Sequence, residues 1–305
     1  MPVYRIDLAY DGTGFRGWAR NAGVRTVQGE IEAALARVLG EEVPLSVAGR
    51  TDAGVHARHQ VASFPSDAKI DTATTLRSLR TMLGPEIALR DLTAAPEDFD
   101  ARFSAVRRSY RYFIDESPSH DPLRSHWVWH RGEALDLGAM NQAAAAFVGP
   151  HDFASLCRAA EGGTTERTVE SAGWERVPTE VSSLQSPVSS RVPSLQSPVS
   201  SPVSGGQSPG SRQTEISEPV VGQRATGNLP AAPGFPSPDS GLLVYMVSAK
   251  AFCHQMVRSM VALCVDVGRG KMRAEAVPEI LDKKDRNAAR GVAPPHGLVL
   301  WEVEY

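Results

Sequence analysis

Hydrophobic and polar positions along the chain follow two different periods. Apolar residues alternate with polar ones over Val3–Tyr10, which is typical of a strand with one buried face. Between Thr26 and Leu39 the apolar residues recur at helical spacing, so this segment is predicted to be an amphipathic helix. The same criteria predict further strands at Val43–Ala48, Gln60–Phe64, Ile87–Leu92, Ser109–Asp115, His126–Trp129, Val169–Val177, Leu242–Ala249 and Leu298–Glu304. They predict further helices at Asp71–Leu83, Asp136–Phe147, His254–Val267 and Arg273–Lys283.

The order of these elements indicates the fold class. Runs of strands are mixed with helices that do not alternate with them one for one, which favours an α+β fold with a largely antiparallel sheet. The chain has 305 residues, of which 42% are hydrophobic, so it has ample apolar material for a core. Wholesale disorder is therefore excluded.

Targeting signals and cysteine usage point to the cytoplasm. Met1–Asp7 lacks the apolar core of a signal peptide, and no stretch approaches the roughly 18 uninterrupted apolar residues of a membrane span. Cys157, Cys253 and Cys264 are too scattered for a disulfide framework or a paired-cysteine zinc site, as in a reducing compartment. The net charge of −3 neither favours nor excludes a nucleic-acid partner, because a local basic face can coexist with a balanced total.

One segment, Pro178–Ser240, differs in composition from the rest of the chain. Its 63 residues hold 15 Ser and 11 of the chain's 22 Pro. An eight-residue sequence that begins at Ser183 recurs 11 residues later at Ser194. A period of 11 with a proline in each copy excludes a helix, and two copies are too few for a solenoid. We therefore expect a disordered insertion at the tip of a hairpin, with a partner-binding tail as the alternative.

A glycine-rich motif near the N-terminus suggests a nucleotide site but fails on its context. Gly12–Gly17 matches the dinucleotide-binding fingerprint and follows a predicted strand. That fingerprint needs a helix that opens on its third glycine, and none does so here. We expect instead a tight turn that presents Trp18 and Arg20.

The sequence also predicts no metal site. The two closely spaced histidine pairs are His56/His59 and His126/His130. Neither pair has the acidic or cysteine partners that would complete a ligand set. We interpret these residues as ordinary polar or core histidines.

The densest set of polar chemistry lies in Gly49–Ala57, a loop that follows a predicted strand. It contains Arg50, Thr51, Asp52 and His56. By itself this loop could be an ordinary polar turn in which Asp52 bonds its own backbone. Three further segments favour a site, and they are Phe103–Tyr112, Phe252–Arg258 and His296–Leu300. The first alternates basic and aromatic groups suited to phosphates and unpaired bases, and the second carries a cation that needs a carboxylate when buried.

Together these segments resemble the TruA family of tRNA pseudouridine synthases. The motifs that carry the resemblance are Gly49–Ala57, Tyr10-Asp11-Gly12-Thr13, Gly17-Trp18, Thr26-Val27-Gln28 and Met256-Val257-Arg258. The resemblance implies a pseudouridine synthase fold with two related α/β halves around the sheet and a central cleft. The expected halves are residues 1–105, with the catalytic loop, and residues 106–177 plus 241–305. The insertion at 178–240 lies outside the resemblance.

The resemblance also implies a reaction, the isomerisation of uridine within RNA, which needs no cofactor and no metal. Asp52 would be the catalytic carboxylate, as nucleophile or as base at the sugar, and Arg258 would pair with it. Tyr110 would pack against the flipped uracil, and its hydroxyl could assist removal of the C5 proton. Arg50 would fill the gap left by the nucleotide or hold its phosphate, and Leu298 would pack beside the base.

The implied substrate is the anticodon arm of tRNA, positions 38 to 40, bound by a homodimer. A basic face should supply the phosphate contacts, and its expected members are Arg107, Arg108, Arg111, Arg77 and Arg80.

Two other functions stay open at this point. One is a non-catalytic RNA-binding protein, which would have no use for the set Asp52, Tyr110 and Arg258. The other is a carboxylate-based nucleosidase, which would need a second carboxylate near the first. Asp7 and Asp11 are the nearest candidates for it. The products distinguish the three, since an isomerase leaves the RNA mass unchanged, a nucleosidase releases uracil and a binding protein does neither.

Overall fold

One mixed sheet of ten strands runs through the described residues, which are 1–157, 163–177, 242–289 and 291–305 of the computed structural model. The strands are β1 (Val3–Tyr10), β2 (Ser46–Val47), β3 (His56–Pro65), β4 (Ile87–Ala95), β5 (Arg107–Asp115), β6 (Trp129–His130), β7 (Gly149–Asp152), β8 (Glu166–Val177), β9 (Leu242–Ala249) and β10 (Leu298–Glu304). The helices are α1 (Val27–Leu39), α2 (Thr72–Met82), α3 (Leu137–Ala145), α4 (Met256–Gly268) and α5 (Ala276–Asp282). The sheet order is β4-β1-β3-β10-β5-β9-β8-β7, with β2 on β3 and β6 on β5. All pairs are antiparallel except β10–β3 and β5–β6, so the predicted α+β class with a largely antiparallel sheet is confirmed.

The centre of the sheet brings distant parts of the chain together. β10 lies parallel to β3, with Val299 opposite His56, and antiparallel to β5, with Leu300 opposite Tyr110. The loop that precedes β3 therefore lies near the middle of β5. The same sheet runs through both expected halves of the chain, and their relatedness stays a prediction.

Within the strands and helices, the buried residues recur at the same spacing as the apolar residues that predicted each element. Ile6 and Leu8 on β1 are 0% exposed, as are Ile31 and Leu35 on α1, and all four belong to one buried cluster. Residues two apart share a face of a strand, and residues four apart share a face of a helix. Burying one such side chain fully contributes about 1.5–3 kcal/mol.

Side-chain caps set the starts of two helices where the sequence predicts them. Asp71 accepts hydrogen bonds from the N–H groups of Ala73 and Thr74 before α2, both at 3.2 Å. Asp136 accepts one from Ala139 before α3, at 2.9 Å. A cap of this kind stabilises a helix by about 1 kcal/mol.

The predicted strand Val43–Ala48 is wrong over most of its length, because only Ser46–Val47 pairs with β3. Pro44 has no N–H to donate to a neighbouring strand. The N–H of Leu45 donates to the carboxylate of Glu32 at 3.1 Å instead of joining the sheet. The segment is still buried, which explains its apolar pattern.

The predicted strand His126–Trp129 is a turn up to its last residue. The N–H groups of Trp127 and Val128 both donate to the Arg124 carbonyl at 3.0 Å, so they are unavailable to the sheet. The pattern also missed β7, whose four residues are too few to show a period.

The expected hairpin around the Ser- and Pro-rich segment is confirmed at its base. β8 and β9 pair antiparallel up to Val177, which lies opposite Leu242. Residues 178–240, expected to be disordered, lie outside the described residues. No helix in the described part of the chain is long and apolar enough to cross a membrane, and all three cysteines are free.

Candidate active site

Hydrogen bonds fix the loop of Asp52 on both sides of that residue. The amide of Gln60 donates to the Gly49 carbonyl at 2.7 Å, and the N–H of Trp18 donates to the Thr51 carbonyl at 3.0 Å. Because the flanking backbone is held, the carboxylate of Asp52 is presented in a fixed direction. It lines a large cleft, with 20% of its side chain exposed.

The glycine-rich turn before α1 packs against this loop. A Cβ on Gly12 would lie 2.1 Å from the carbonyl oxygen of Val55, and one on Gly17 would lie 2.9 Å from that of Thr51. Gly17 also has a φ of 97°, which residues with a side chain rarely adopt. The glycines therefore permit close contact between two segments of backbone. The predicted tight turn is present, but Trp18 is 0% exposed and is not presented at the surface as expected.

A guanidinium lies against Asp52. Arg258 Nη1 is 2.8 Å from Asp52 Oδ2, and Arg258 Nε donates to the Ala293 carbonyl at 2.7 Å. α4 holds Arg258 in its first turn, directly after Gln255, whose φ of 64° turns the chain into the helix. The Arg258 side chain is only 13% exposed, so water screens the pair weakly.

His254 contacts the other oxygen of the same carboxylate. Its Nε2 lies 3.2 Å from Asp52 Oδ1, and its side chain is 53% exposed. Sequence reasoning gave His254 no role, although it belongs to the segment Phe252–Arg258, because its direction depends on the turn at Gln255. Both carboxylate oxygens are thus contacted, and His254 is the more exposed of the two partners.

Tyr110 lines the same cleft and is 8% exposed. Its ring packs edge-on against Phe252, with the centroids 5.1 Å apart. Burial raises the pKa of Tyr110 well above its usual value, and the neighbouring Tyr10 and Asp52 raise it further. The phenol therefore stays protonated, so a part in proton removal would involve the neutral hydroxyl and not a phenolate.

The two other expected substrate-binding residues also line the cleft. Leu298 begins β10, opposite Tyr112, and is 6% exposed. Arg50 is exposed on the Asp52 loop and has no acidic partner in the described part of the chain. Its charge is therefore available to a phosphate.

The arginines of β5 do not share one face of the sheet, because successive side chains of a strand alternate between its two faces. Arg108 and Tyr110 line the cleft, whereas Arg107 and Arg111 do not. The guanidinium of Arg111 lies 4.0 Å from the ring centroid of Trp301, and Arg107 forms ion pairs with two glutamates. Of the three β5 arginines expected to contact phosphates, only Arg108 therefore lies on the cleft.

Arg108 faces the cleft region, but it is buried and bonded to backbone. Its guanidinium donates to the carbonyls of Ala48 at 2.9 Å, Arg102 at 2.6 Å and Lys250. These carbonyls belong to the Asp52 loop, the turn before β5 and the loop before α4. With 6% exposure, Arg108 joins three segments that form the cleft and is not free for the expected phosphate contact.

The cleft has a volume of about 2690 Å³, larger than the roughly 300–1,000 Å³ of small-molecule pockets. Its lining cations include Arg16, Arg20, Arg50, Arg102, Arg167 and Lys250, and of these the sequence analysis assigned only Arg50 to substrate binding. Arg77 and Arg80 of α2, which were expected to contribute, lie outside it. A wide, basic surface of this kind suits a polyanion.

Neither Asp7 nor Asp11, the candidates for a second carboxylate, lines the cleft. Asp7 bonds Arg5 at 2.8 Å and His59 at 3.1 Å, and Asp11 accepts the N–H of Thr13 at 2.9 Å. Each is held in a local contact away from Asp52. Among the described residues, no group of three or more His, Cys, Asp or Glu is placed to hold a metal ion.

Comparisons with known proteins identify the family. The family model described as tRNA pseudouridine synthase matches residues 8–104 and 143–305. The tRNA pseudouridine synthase A of Bifidobacterium longum is 37% identical over 324 aligned residues, which cover 100% of this chain and 94% of that protein. The protein of the same name from Streptomyces griseus is 37% identical, with 99% of this chain and 87% of the relative covered. The one from Cutibacterium acnes is 34% identical, with coverages of 100% and 89%. The chain belongs to the tRNA pseudouridine synthase family.

Proposed function

We propose that the chain isomerises uridine to pseudouridine in tRNA, with Asp52 as its catalytic carboxylate. The observation that carries this proposal is the Asp52 carboxylate, 2.8 Å from Arg258, in a basic cleft of about 2690 Å³. Family membership supports the same reaction, because relatives similar over nearly their full length are named tRNA pseudouridine synthase A.

The proposed reaction rearranges bonds within one nucleotide. The bond between C1′ and N1 breaks, the uracil turns, and a bond forms between C1′ and C5. C5 loses a proton and N1 gains one, so atoms and charge balance without a cofactor or a metal. Asp52 acts as nucleophile or as base at the sugar. Arg258 donates to its carboxylate at 2.8 Å and holds it in place.

Substrate binding must extract the uridine from its stack, at a cost of a few kcal/mol. Tyr110 and Leu298 offer apolar surface to the flipped uracil, and both lie in the cleft with Asp52. Arg50 offers an unpaired cation to the phosphate or to the gap in the stack. Contacts with the flipped uracil and with the phosphate backbone of the RNA together offset the free-energy cost of extracting the uridine.

The specific substrate we propose is the anticodon arm of tRNA, at positions 38 to 40, in the cytoplasm. We also propose that the protein is a homodimer. The sheet face opposite the cleft supports pairing, because Phe113, Met246 and Trp301 are only half-buried there. Light scattering would give the mass in solution, and mapping pseudouridine in tRNA from a strain that lacks the gene would give the positions.

The reaction itself is tested with purified protein and unmodified tRNA. We expect pseudouridine to form, the RNA mass to stay constant and no uracil to appear. Asp52→Asn is the matched inactive control. Release of free uracil would indicate a nucleosidase, and binding without any product would indicate an RNA-binding protein.

A further inference from the structure

Phe103 is the most exposed aromatic side chain in the described part of the chain, at 77%. It lies in the turn before β5 and lines the same cleft as Asp52. A single exposed apolar residue needs no explanation by itself. The surroundings of this one show that its exposure is built into the fold.

The turn that presents Phe103 is held by its own hydrogen bonds. The carboxylate of Asp100 accepts the N–H groups of Arg102 at 2.7 Å and Phe103 at 2.9 Å. The N–H of Asp100 donates to the Ser104 hydroxyl at 3.1 Å, and the N–H of Ser104 donates to the Asp100 carbonyl at 2.9 Å. The ring therefore projects from a fixed backbone and loses little conformational freedom when it binds a partner.

The same turn is tied to the active-site loops through Arg108. That guanidinium bonds the carbonyl of Arg102 in the turn and also the carbonyls of Ala48 and Lys250. Ala48 begins the Asp52 loop, and Lys250 begins the loop that leads to His254. The position of Phe103 is thus coupled to the position of Asp52.

A cation accompanies the ring. The guanidinium of Arg102 lies 5.3 Å from the centroid of Phe103, and it has no acidic partner among the described residues. An aromatic face and a neighbouring free cation match the two parts of a nucleotide, an unpaired base and its phosphate.

We propose that Phe103 stacks on an unpaired base of the tRNA close to the isomerised uridine, and that Arg102 contacts the phosphate of that nucleotide. This inference rests on the proposed function and adds a substrate-binding contact to it. Extraction of the target uridine removes a stacking partner from its neighbour, and Phe103 replaces that partner. The contact accepts any base, because every base has a π face.

The test compares Phe103→Ala, Phe103→Leu and Phe103→Trp with Leu123→Ala. Leu123 is the control, since it is 82% exposed and does not line the cleft. Loss of one stacked base should raise the Kd for tRNA by roughly 5- to 150-fold in the Ala and Leu variants. Trp should stay close to wild type, because it keeps a π face that Leu lacks.

A fluorescent base locates the contact. With 2-aminopurine at each unpaired position near the target in turn, wild type and Phe103→Trp should quench one position, and Phe103→Leu should not. Full rescue by Leu, quenching unchanged in Phe103→Leu, or an altered oligomeric mass of Phe103→Ala would overturn the proposal. If wild type forms no pseudouridine, the proposed function fails. If wild type is active and Phe103→Ala binds tRNA equally well, only this inference fails.

Discussion

Arg258 Nη1 and Asp52 Oδ2 lie 2.8 Å apart, although 206 positions separate the two residues in the sequence. The sheet creates this contact, because β9, β5, β10 and β3 lie side by side. α4 follows β9, and the Asp52 loop precedes β3, so their order in the sheet brings the two charges together. The fold thus places the guanidinium and the carboxylate in one cleft, with side chains that are 13% and 20% exposed.

Asp52→Asn should lower pseudouridine formation by about 10⁴-fold or more, the loss typical of removing an essential catalytic group. The amide has the shape of the acid, but it is neither a nucleophile nor a base. The affinity for tRNA and the melting temperature should stay close to wild type. Asp11→Asn is the control, because Asp11 lies outside the cleft. Appreciable turnover by Asp52→Asn would refute the assignment.

Arg258→Met should lower kcat/KM by roughly 100- to 1000-fold, as does removal of one electrostatic contact in other active sites. The Met side chain keeps much of the volume but cannot bond the Asp52 carboxylate, which Arg258 Nη1 contacts at 2.8 Å. Arg258→Lys keeps the charge and should recover part of the activity. Wild-type activity of the Met variant would show that Arg258 has another role.

Strands and helices were predictable from the sequence where a local feature, such as an apolar period or a capping residue, determines the structure. β1, β9 and β10 match their predicted ranges, and Asp71 and Asp136, the first residues of two predicted helices, cap α2 and α3. Strand predictions failed where a hydrogen bond outside the sheet took up a backbone N–H, as the Glu32 carboxylate does with the N–H of Leu45. The apolar pattern reports burial, and burial does not require strand pairing.

The motifs of the sequence predicted where the candidate site residues lie, whereas the roles of these residues stay predictions. The structure places Asp52, Arg50, Tyr110, Arg258 and Leu298 on one cleft, as the motifs suggested. The cations of the cleft could not be chosen from β5, because alternation along a strand sends neighbouring residues to opposite faces. Arg16, Arg102 and Arg167 come from separate segments, and only the tertiary fold brings them together.

The free energy of unfolding should fall on mild acidification because buried His56 resists protonation. The N–H of Gly12 donates to His56 Nδ1 at 3.0 Å, which requires a ring nitrogen without a proton. Burial lowers the pKa of His56, although the Asp11 carboxylate opposes it, and His126 and His296 are close. The folded state therefore favours the neutral ring. Above the pKa of about 6.5 that His56 has in the unfolded chain, the ring is neutral in both states, and the pKa difference does not lower stability. Below that pH the unfolded state takes up the proton first, and stability is lost.

His56→Asn keeps an acceptor for Gly12 and cannot be protonated. Its melting temperature should fall less than that of wild type between pH 7.5 and pH 5. Some loss should persist, because burial also lowers the pKa of His296. Carboxylates with lowered pKa values titrate at more acidic pH and do not affect this window. If the melting temperatures of the variant and of wild type fell equally over this pH range, His56 would not be the cause of the acid-induced loss of stability.

Gln255 has a φ of 64° at the start of α4, a conformation that costs a residue with a side chain about 1–3 kcal/mol. Gln255→Gly should keep or raise the melting temperature, since glycine adopts this conformation freely. Gln255→Val should lower it and reduce activity, because the turn directs both His254 and Arg258 to Asp52. Lys284→Gly is the control, at a φ of 49° on the residue that follows α5 by two positions. Normal activity of the Val variant would show that the turn does not position the site.

Residues 178–240 should be replaceable by a short glycine-containing turn without loss of fold or activity. Val177 and Leu242 lie opposite each other at the end of an antiparallel pair, and a two-residue turn can join such strands. Each halving of a flexible connection lowers the closure cost by about 0.6 kcal/mol, so shortening should be neutral or slightly stabilising.

In the intact protein, brief trypsin treatment should cut first at Arg191, Arg212 or Arg224, and the nicked enzyme should stay active on tRNA. A scrambled segment of the same length is the control, and it should also be active. Protection of this segment from trypsin, or inactivity of the shortened protein while the scrambled one works, would show that its length or order serves the substrate.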